Sequence, residues 1–218
     1  MPGTAVTGAS EFVPETHTLP VLRKAVQDCR GCSLYKNATQ AVLGEIEGHP
    51  KLTHTHAAMM MIGEQPGDRE DLEGRPFVGP AGKLLDRCLQ EAGIDRTEVY
   101  ITNTVKHFKW EPRGKVRLHK KPSLTEIKAC RPWLNAELDA VQPKLIVCLG
   151  ATAAQSLLGA SFRVTVSHGT PQHVADYPAI IATTHPASIL RARTDDDRHR
   201  QTAEFIADLR RARAFLEQ

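Results

Sequence analysis

The chain predicts a three-layer α/β/α sandwich with a central, mainly parallel four-stranded sheet. Three observations carry this reading. Residues 57–63 (AAMMMIG) and 144–149 (KLIVCL) are short, continuously apolar runs, the pattern of strands buried on both faces. Two further strand-like segments, 98–102 (EVYIT) and 179–184 (AIIATT), alternate with helical patterns, as in a parallel sheet covered by helices. Polar loops leave strand ends at 63–68, 103–121 and 185–191, and parallel order should bring them to one edge.

Residues 1–18 are rich in Thr, Pro and Gly without apolar period. They are expected as a disordered tail, leaving 19–218 as one domain. A helix from about Pro20 should bury Val21, Leu22, Ala25 and Val26 and end near Cys29, where Cys29-Arg30-Gly31-Cys32 follows. A CxxC pair can be a redox motif or half a metal site. This one follows a helix instead of linking a strand to a helix, which favours metal. After the first strand, two glycines and a proline make 63–68 (GEQPGD) a tight loop. The segment 74–82 (GRPFVGPAG) leads into a helix with Leu84, Leu85, Cys88 and Leu89 on one face, stopped at Gly93. Cys88 is therefore read as core. The second strand delivers Asn103. Ser123-Leu124-Thr125-Glu126 is a capping-box pattern that should start a helix, and Pro132 should kink or interrupt it after Cys130. Cys148 sits mid-strand, where a small apolar side chain is the default. A short helix after Gly150 should end at Gly159, and the last helix, from about Arg198, should turn Phe205, Ile206, Leu209 and Phe215 inward.

Composition narrows the function classes. Neither apolar run is long enough to span a membrane. No charged segment precedes an apolar one at the N-terminus, so a cytoplasmic location is expected. Five cysteines, an odd number in a chain without an export signal, argue against a disulfide framework. Charge is unevenly spread: residues 103–133 hold nine Lys and Arg against two Glu, about +7, while the whole chain carries +3. Such a patch suits phosphates, and Phe108 and Trp110 within it could stack on bases. A merely solvated basic loop is the plain alternative.

The motifs GEQPGD, GRPFVGPAG, YITN, LGATAA and HPASILR together resemble the uracil-DNA glycosylase superfamily, and within it the iron–sulfur members related to family four. The stretch KHFKWEPRGKVRLHKKP at 106–122 resembles the UdgX-type branch, whose insert reads KRRIH before two lysines. Here Val116 replaces an arginine and Leu118 an isoleucine. The resemblance implies a 4Fe–4S cluster on Cys29, Cys32, His107 and Cys130. Imidazole can replace thiolate in such centres, although three cysteines and a histidine are also a common zinc set. It further implies that Asn103 reads the Watson–Crick edge of a flipped uracil, Phe77 stacks on it, and His185 donates to O2 as negative charge develops. Gly63, Gln65 and Gly67 should line the pocket, with Glu64 and Asp68 supplying negative charge near the sugar. Lys109, Lys115, Arg117, Lys120, Lys121, Ser188, Leu190 and Arg191 are the expected DNA contacts. His119 should bond to deoxyribose C1′ and leave a covalent adduct, with Glu64 nominated to orient its ring and neighbouring cations keeping it neutral. The expected partner is uracil-containing DNA, single- or double-stranded, met by a monomer. An ordinary multiple-turnover glycosylase and a non-catalytic lesion-binding module are the competing readings.

Overall fold

The computed structural model describes residues 8–47 and 57–218. In chain order the elements are α1 (Leu19–Ala25), β1 (Met59–Gly63), α2 (Asp68–Glu73), α3 (Pro80–Ala92), β2 (Val99–Asn103), β3 (Trp110–Arg113), β4 (Val116–His119) and α4 (Leu124–Val141). There follow β5 (Leu145–Leu149), α5 (Ala151–Leu158), α6 (Val164–Ser167), β6 (Pro171–Gln172), β7 (Ala179–Thr183), α7 (Pro186–Leu190) and α8 (Asp195–Leu216). Helices flank a mainly parallel sheet in the order β2-β1-β5-β7-β6. The four expected strands are its parallel part. The fifth, β6, is a two-residue antiparallel addition to β7, too short to leave a periodic signal.

Every residue of β1, β2, β5 and β7 is buried. Alternate side chains feed two cores, as strand geometry requires. Met60, Ile62, Tyr100, Ile146, Cys148 and Ile180 face α1, α4 and α5, in a core that also holds Cys29, Cys32, Cys130 and Trp133. Met61, Ile101, Val147 and Ile181 face α3 and α8, with Cys88, Leu89, Phe205 and Leu209. Among the described residues no helix is long and apolar enough to cross a membrane.

The structure departs from expectation in four places. The N-terminal segment is packed from Gly8 onward: Ala9 is buried, its amide donates to Ala129 O (2.8 Å), and Gly8 N donates to Gly31 O (3.2 Å). These bonds lay the segment over the CxxC loop, so only residues 1–7 of the expected tail lie outside the described residues. Val21 faces solvent while Leu22 is fully buried. Pro132 lies within α4, which continues past it as one helix, so the expected interruption is absent; Cys130, Trp133, Leu134 and Glu137 are buried along that helix, and their packing outweighs the lost backbone bond. The basic stretch is a β-hairpin, β3 paired with β4 and turning at Gly114. The capping box is present as expected: Glu126 N donates to Ser123 Oγ (3.2 Å) and Ser123 N to Glu126 Oε2 (2.6 Å).

The turn before α3 is shaped by contact with that helix. Phe77 adopts φ 55°, a conformation uncommon for a bulky residue. A Cβ at Gly82 would overlap the Phe77 carbonyl, so helix and turn can approach only through glycine. Gly82→Ala should cost about 1–3 kcal/mol, the range for forced overpacking, read as a lower midpoint in denaturant unfolding. An unchanged midpoint would mean that the 77–82 turn yields freely.

Candidate active site

The carboxyl ends of β1, β2, β5 and β7 meet around a cleft of about 370 Å³, within the usual size of a small-molecule site. Glu64, Gln65 and Gly67 come from the loop after β1, Asn103 ends β2, Thr152 opens α5, and His185 caps α7. Phe77, His119, Lys121, Ser188 and Arg191 complete the part of the lining that concerns the site.

The floor is set by Gly63. A Cβ there would collide with Asn103 Oδ1 and with the Phe77 ring, so the missing side chain lets the amide and the ring meet. Asn103 is 2% exposed. Its Oδ1 is buried and has no hydrogen-bond partner among the described residues. Phe77 stacks with His185, centroids 5.9 Å apart at 30°. His185 Nδ1 accepts from Ala187 N–H (3.1 Å), which assigns the ring hydrogen of the neutral form to Nε2. Burial, aided by the charges of Arg191 and His119, lowers the His185 pKa to about 4. The ring is therefore a neutral donor at physiological pH.

At the mouth stands His119, the last residue of β4, with its side chain half exposed. Gln65 Nε2 lies 2.9 Å from His119 Nε2. The amide orientation is set by the backbone, because Gln65 Oε1 accepts from Lys109 N (3.1 Å) while Nε2 faces Lys109 O (3.2 Å) and Lys120 O (3.0 Å). The two Gln65 N–H groups are shared among these three acceptors, and an amide nitrogen cannot itself accept, so His119 Nε2 takes part in this contact only in its unprotonated form. Glu64 Oε1 is 3.6 Å from the same nitrogen, beyond hydrogen-bond range, and Glu64 Oε2 accepts from the Thr152 hydroxyl. Gln65 and Glu64 thus both stand at this ring nitrogen, Gln65 within hydrogen-bond reach and Glu64 at ion-pair distance. The His119 pKa is lowered first by burial, against the opposing pull of Glu64, with Arg191 assisting. Arg191 thus does what the lysines of the insert were expected to do.

Several expected DNA contacts point elsewhere. Arg117 turns inward, bonding Asp68 Oδ1 (2.6 Å) and Asp71 Oδ2 (2.6 Å) and lying over the Phe108 and Trp110 rings at 5.5 Å each. The Asp71 side chain is fully buried, and a buried carboxylate requires a cation. Arg117 meets that need, and Asp68 is held at this contact, not in the cleft lining. Phe108 is 1% exposed and so is not free to stack on bases. Trp110 donates to Asn37 O (2.8 Å). Lys109 pairs with Glu126 (2.8 Å) and Lys120 with Glu111 (2.8 Å). Lys106, counted in the basic patch, is fully buried against Glu137. Lys115 is exposed beside the hairpin turn. Leu190 is 38% exposed at the end of α7, and Arg191 Nη2 reaches Ser188 Oγ (3.4 Å).

Of the four expected metal ligands, the three cysteines are free, buried thiols. Cys29 Sγ accepts from Trp133 Nε1–H (3.2 Å) and Cys130 Sγ from Lys106 N–H (3.3 Å). Burial pushes the Cys130 thiol up to about 12, with Cys32 and Cys29 close enough to raise it further. His107 is buried and held neutral, its pKa lowered to about 4 by burial. Among the described residues, no three His, Cys, Asp or Glu side chains converge on a single-ion site. A 4Fe–4S cluster takes one ligand per iron, so its ligands stand further apart than those of one ion. Three neighbouring thiols with N–H donors on their sulfurs suit such a group in donor chemistry.

Sequence reasoning missed Thr152, the inward role of Arg117, and Glu70. The Glu70 carboxylate accepts from Gly67 N (3.1 Å) and Gly79 N (2.7 Å) and so ties the two loops of the pocket together. The capping-type spacing of Gly67 and Glu70 was the one available signal.

An α/β sandwich with an amide-floored, aromatic-walled cleft at the carboxyl edge of its parallel strands has the architecture of a domain that binds a small ligand at that edge. The chain belongs to the uracil DNA glycosylase superfamily, whose pattern matches residues 50–210. It is 33% identical over 199 residues to the type-4 uracil-DNA glycosylase of Thermotoga maritima, covering 91% of this chain and 94% of that protein. It is 37% identical over 181 residues to the type-4 enzyme of Sulfurisphaera tokodaii, covering 79% and 76%. With the type-4 enzyme of Archaeoglobus fulgidus the figures are 36% over 175 residues, covering 77% and 80%.

The depressed His185 pKa has a signed consequence. Unfolded, the ring binds its proton near 6.5; folded, near 4. Between those values the unfolded chain holds more protons, so this group's contribution to stability is complete above about pH 6.5 and is lost as pH falls towards 4. An NMR titration of the His185 ring should show a midpoint near 4, and a midpoint near 6.5 would contradict the neutral-donor assignment.

Proposed function

We propose that this protein excises uracil from DNA, single- or double-stranded, and that His119 then captures the deoxyribose in a covalent adduct. The unpartnered, buried Asn103 Oδ1 carries the first part of this reading. A buried acceptor without a donor costs about 1–3 kcal/mol, and it fits a site completed by the N3–H of an extruded uracil. The adjacent amide N–H₂ would then meet O4. Phe77 stacks on the ring, and a 5-methyl group would press on the pocket wall, which disfavours thymine. His185 Nε2–H donates to O2 as the glycosidic bond breaks and its electron pair passes to the departing uracil. One such bond to a developing anion is worth roughly 2.7–4 kcal/mol. Glu64 sets a carboxylate in the cleft lining, where it opposes the cationic sugar. Lys121, Ser188 and Arg191 line the cleft, and with Lys115 at the hairpin turn and Leu190 at the end of α7 they are the DNA-facing groups of this reading, a smaller basic surface than residues 103–133 carry in total.

The position of His119 supports the second part. His119 Nε2 stands beside Glu64 and Gln65 at the cleft mouth; once Gln65 releases it, the lone pair of this neutral imidazole can attack C1′ in place of water by proximity. A C1′–N bond forms as the C1′–uracil bond is lost, and the positive charge on the ring is met by Glu64. An ordinary multiple-turnover hydrolysis, with water attacking C1′ beside Glu64, agrees equally with the type-4 relatives. A cluster held by Cys29, Cys32, Cys130 and His107 would act as a structural staple between the α4 core and the base of the hairpin.

A labelled uracil-containing oligonucleotide on a denaturing gel separates these readings. Wild type should give a slow band that survives heat and SDS, saturating at one DNA per protein. His119→Ala should lose the band, and Asn103→Ala should lose both the band and uracil release. Many uracils released per wild-type molecule without a band would establish the multiple-turnover enzyme instead. The purified protein should be brown and contain iron, and Cys130→Ala should lose the colour. A colourless protein with one zinc would overturn the iron assignment.

A further inference from the structure

Beneath Asn103 lies a closed set of polar side chains that base reading does not itself use. Lys106 and Glu137 have no exposed side-chain surface and form an ion pair. One Glu137 oxygen accepts from Gly44 N (2.8 Å), Tyr100 Oη (2.9 Å) and Thr102 Oγ1 (2.8 Å). The other accepts from Lys106 Nζ. The ammonium also donates to Thr102 Oγ1 (2.8 Å) and to the backbone carbonyl of Asn103 (2.5 Å). Its three donors are thereby all used.

The need for this arrangement follows from sheet topology. β2 is an edge strand, so every second residue turns its backbone groups away from β1. Ile101 is such a residue, and a bridge to Glu45 satisfies it, with Ile101 N donating to Glu45 O (2.9 Å) and Glu45 N to Ile101 O (3.0 Å). Asn103 follows two residues later with the same orientation, is 2% exposed, and has the Lys106 ammonium in place of a strand. On its other side the chain is pinned by Thr104 N to Gly63 O (2.9 Å) and Val105 N to Glu64 O (3.0 Å). A buried ion pair is a weak means of stabilising a fold, since apolar residues of similar volume often serve as well. Aiming one donor at one carbonyl is something apolar residues cannot do.

We propose that Lys106 and Glu137 are positioning residues for Asn103. The ammonium holds the Asn103 carbonyl, Glu137 holds the ammonium, and the side-chain amide is thereby fixed in the pocket. Uracil recognition then depends on two residues that never touch the base. The inference rests on Asn103 being the base-reading residue.

The test compares the full-length wild type with Lys106→Met/Glu137→Gln, which leaves no lone buried charge. The probes are free uracil, as a competitive inhibitor, and binding of an otherwise identical oligonucleotide lacking uracil. Free-uracil inhibition should weaken about tenfold, the scale of one lost positioning bond, while affinity for the uracil-free oligonucleotide stays at the wild-type value. Unchanged uracil inhibition, or equal losses for both probes, would overturn the proposal and leave the pair a structural element. If the double variant does not fold, Thr102→Val removes a partner shared by both residues while keeping shape. It should weaken uracil inhibition roughly threefold, and no change would overturn the proposal. Asn103→Ala run alongside separates the two levels: wild-type uracil inhibition there would refute base reading by Asn103 itself.

Discussion

A parallel sheet buried on both faces is the constraint from which the site follows. Strands that run the same way deliver all their carboxyl ends to one edge. Gly63, Asn103, Gly150 and His185 are distant in sequence, yet each ends such a strand or follows it within two residues. The sheet core needs only apolar strand residues. Chemistry is then confined to the loops, where polar side chains can converge without disturbing the packing below. The closeness of Asn103 and Phe77 over a residue lacking a side chain shows how little room that convergence leaves.

Electrostatics sets the second level of order. α2 buries Asp71 and presents Asp68 at its first position. Arg117 answers both and so draws the hairpin down onto the cleft. Cation–ring contacts with Phe108 and Trp110 add to this. Gln65 completes the attachment through backbone groups at Lys109 and Lys120. The hairpin is thus held by interactions facing the body, and its basic character toward DNA is smaller than its composition suggests. The same attachment brings His119 to the cleft mouth.

The packing around the thiols links the N-terminal segment, α4 and the chain after β2. Residues 8 and 9 close over the CxxC loop through backbone bonds, and Trp133 from α4 donates to Cys29. Lys106 touches both regions: its amide donates to Cys130 and its ammonium to the Asn103 carbonyl. The thiol core and the base cleft are therefore neighbours through one residue.

By itself the sequence determined the four parallel strands, the main helices covering them and the loops at their carboxyl ends, because apolar runs, capping residues and glycine stops are local signals. Asn103, His185, Phe77 and the 63–68 loop were picked out by the family resemblance, and strand ends and glycine-rich turns explain why the fold gathers them at one cleft. Partnership was not legible. Charge in a sequence window says nothing of direction, so Lys106 counted toward the basic patch, and Arg117 and Lys109 read as phosphate contacts, until Glu137, Asp71 and Glu126 were seen to hold them. Gln65 read as pocket lining, and only the folded hairpin revealed that its amide meets His119. Ion pairs and hydrogen bonds form between residues tens of positions apart, and their geometry exists only once the backbone has brought those residues together.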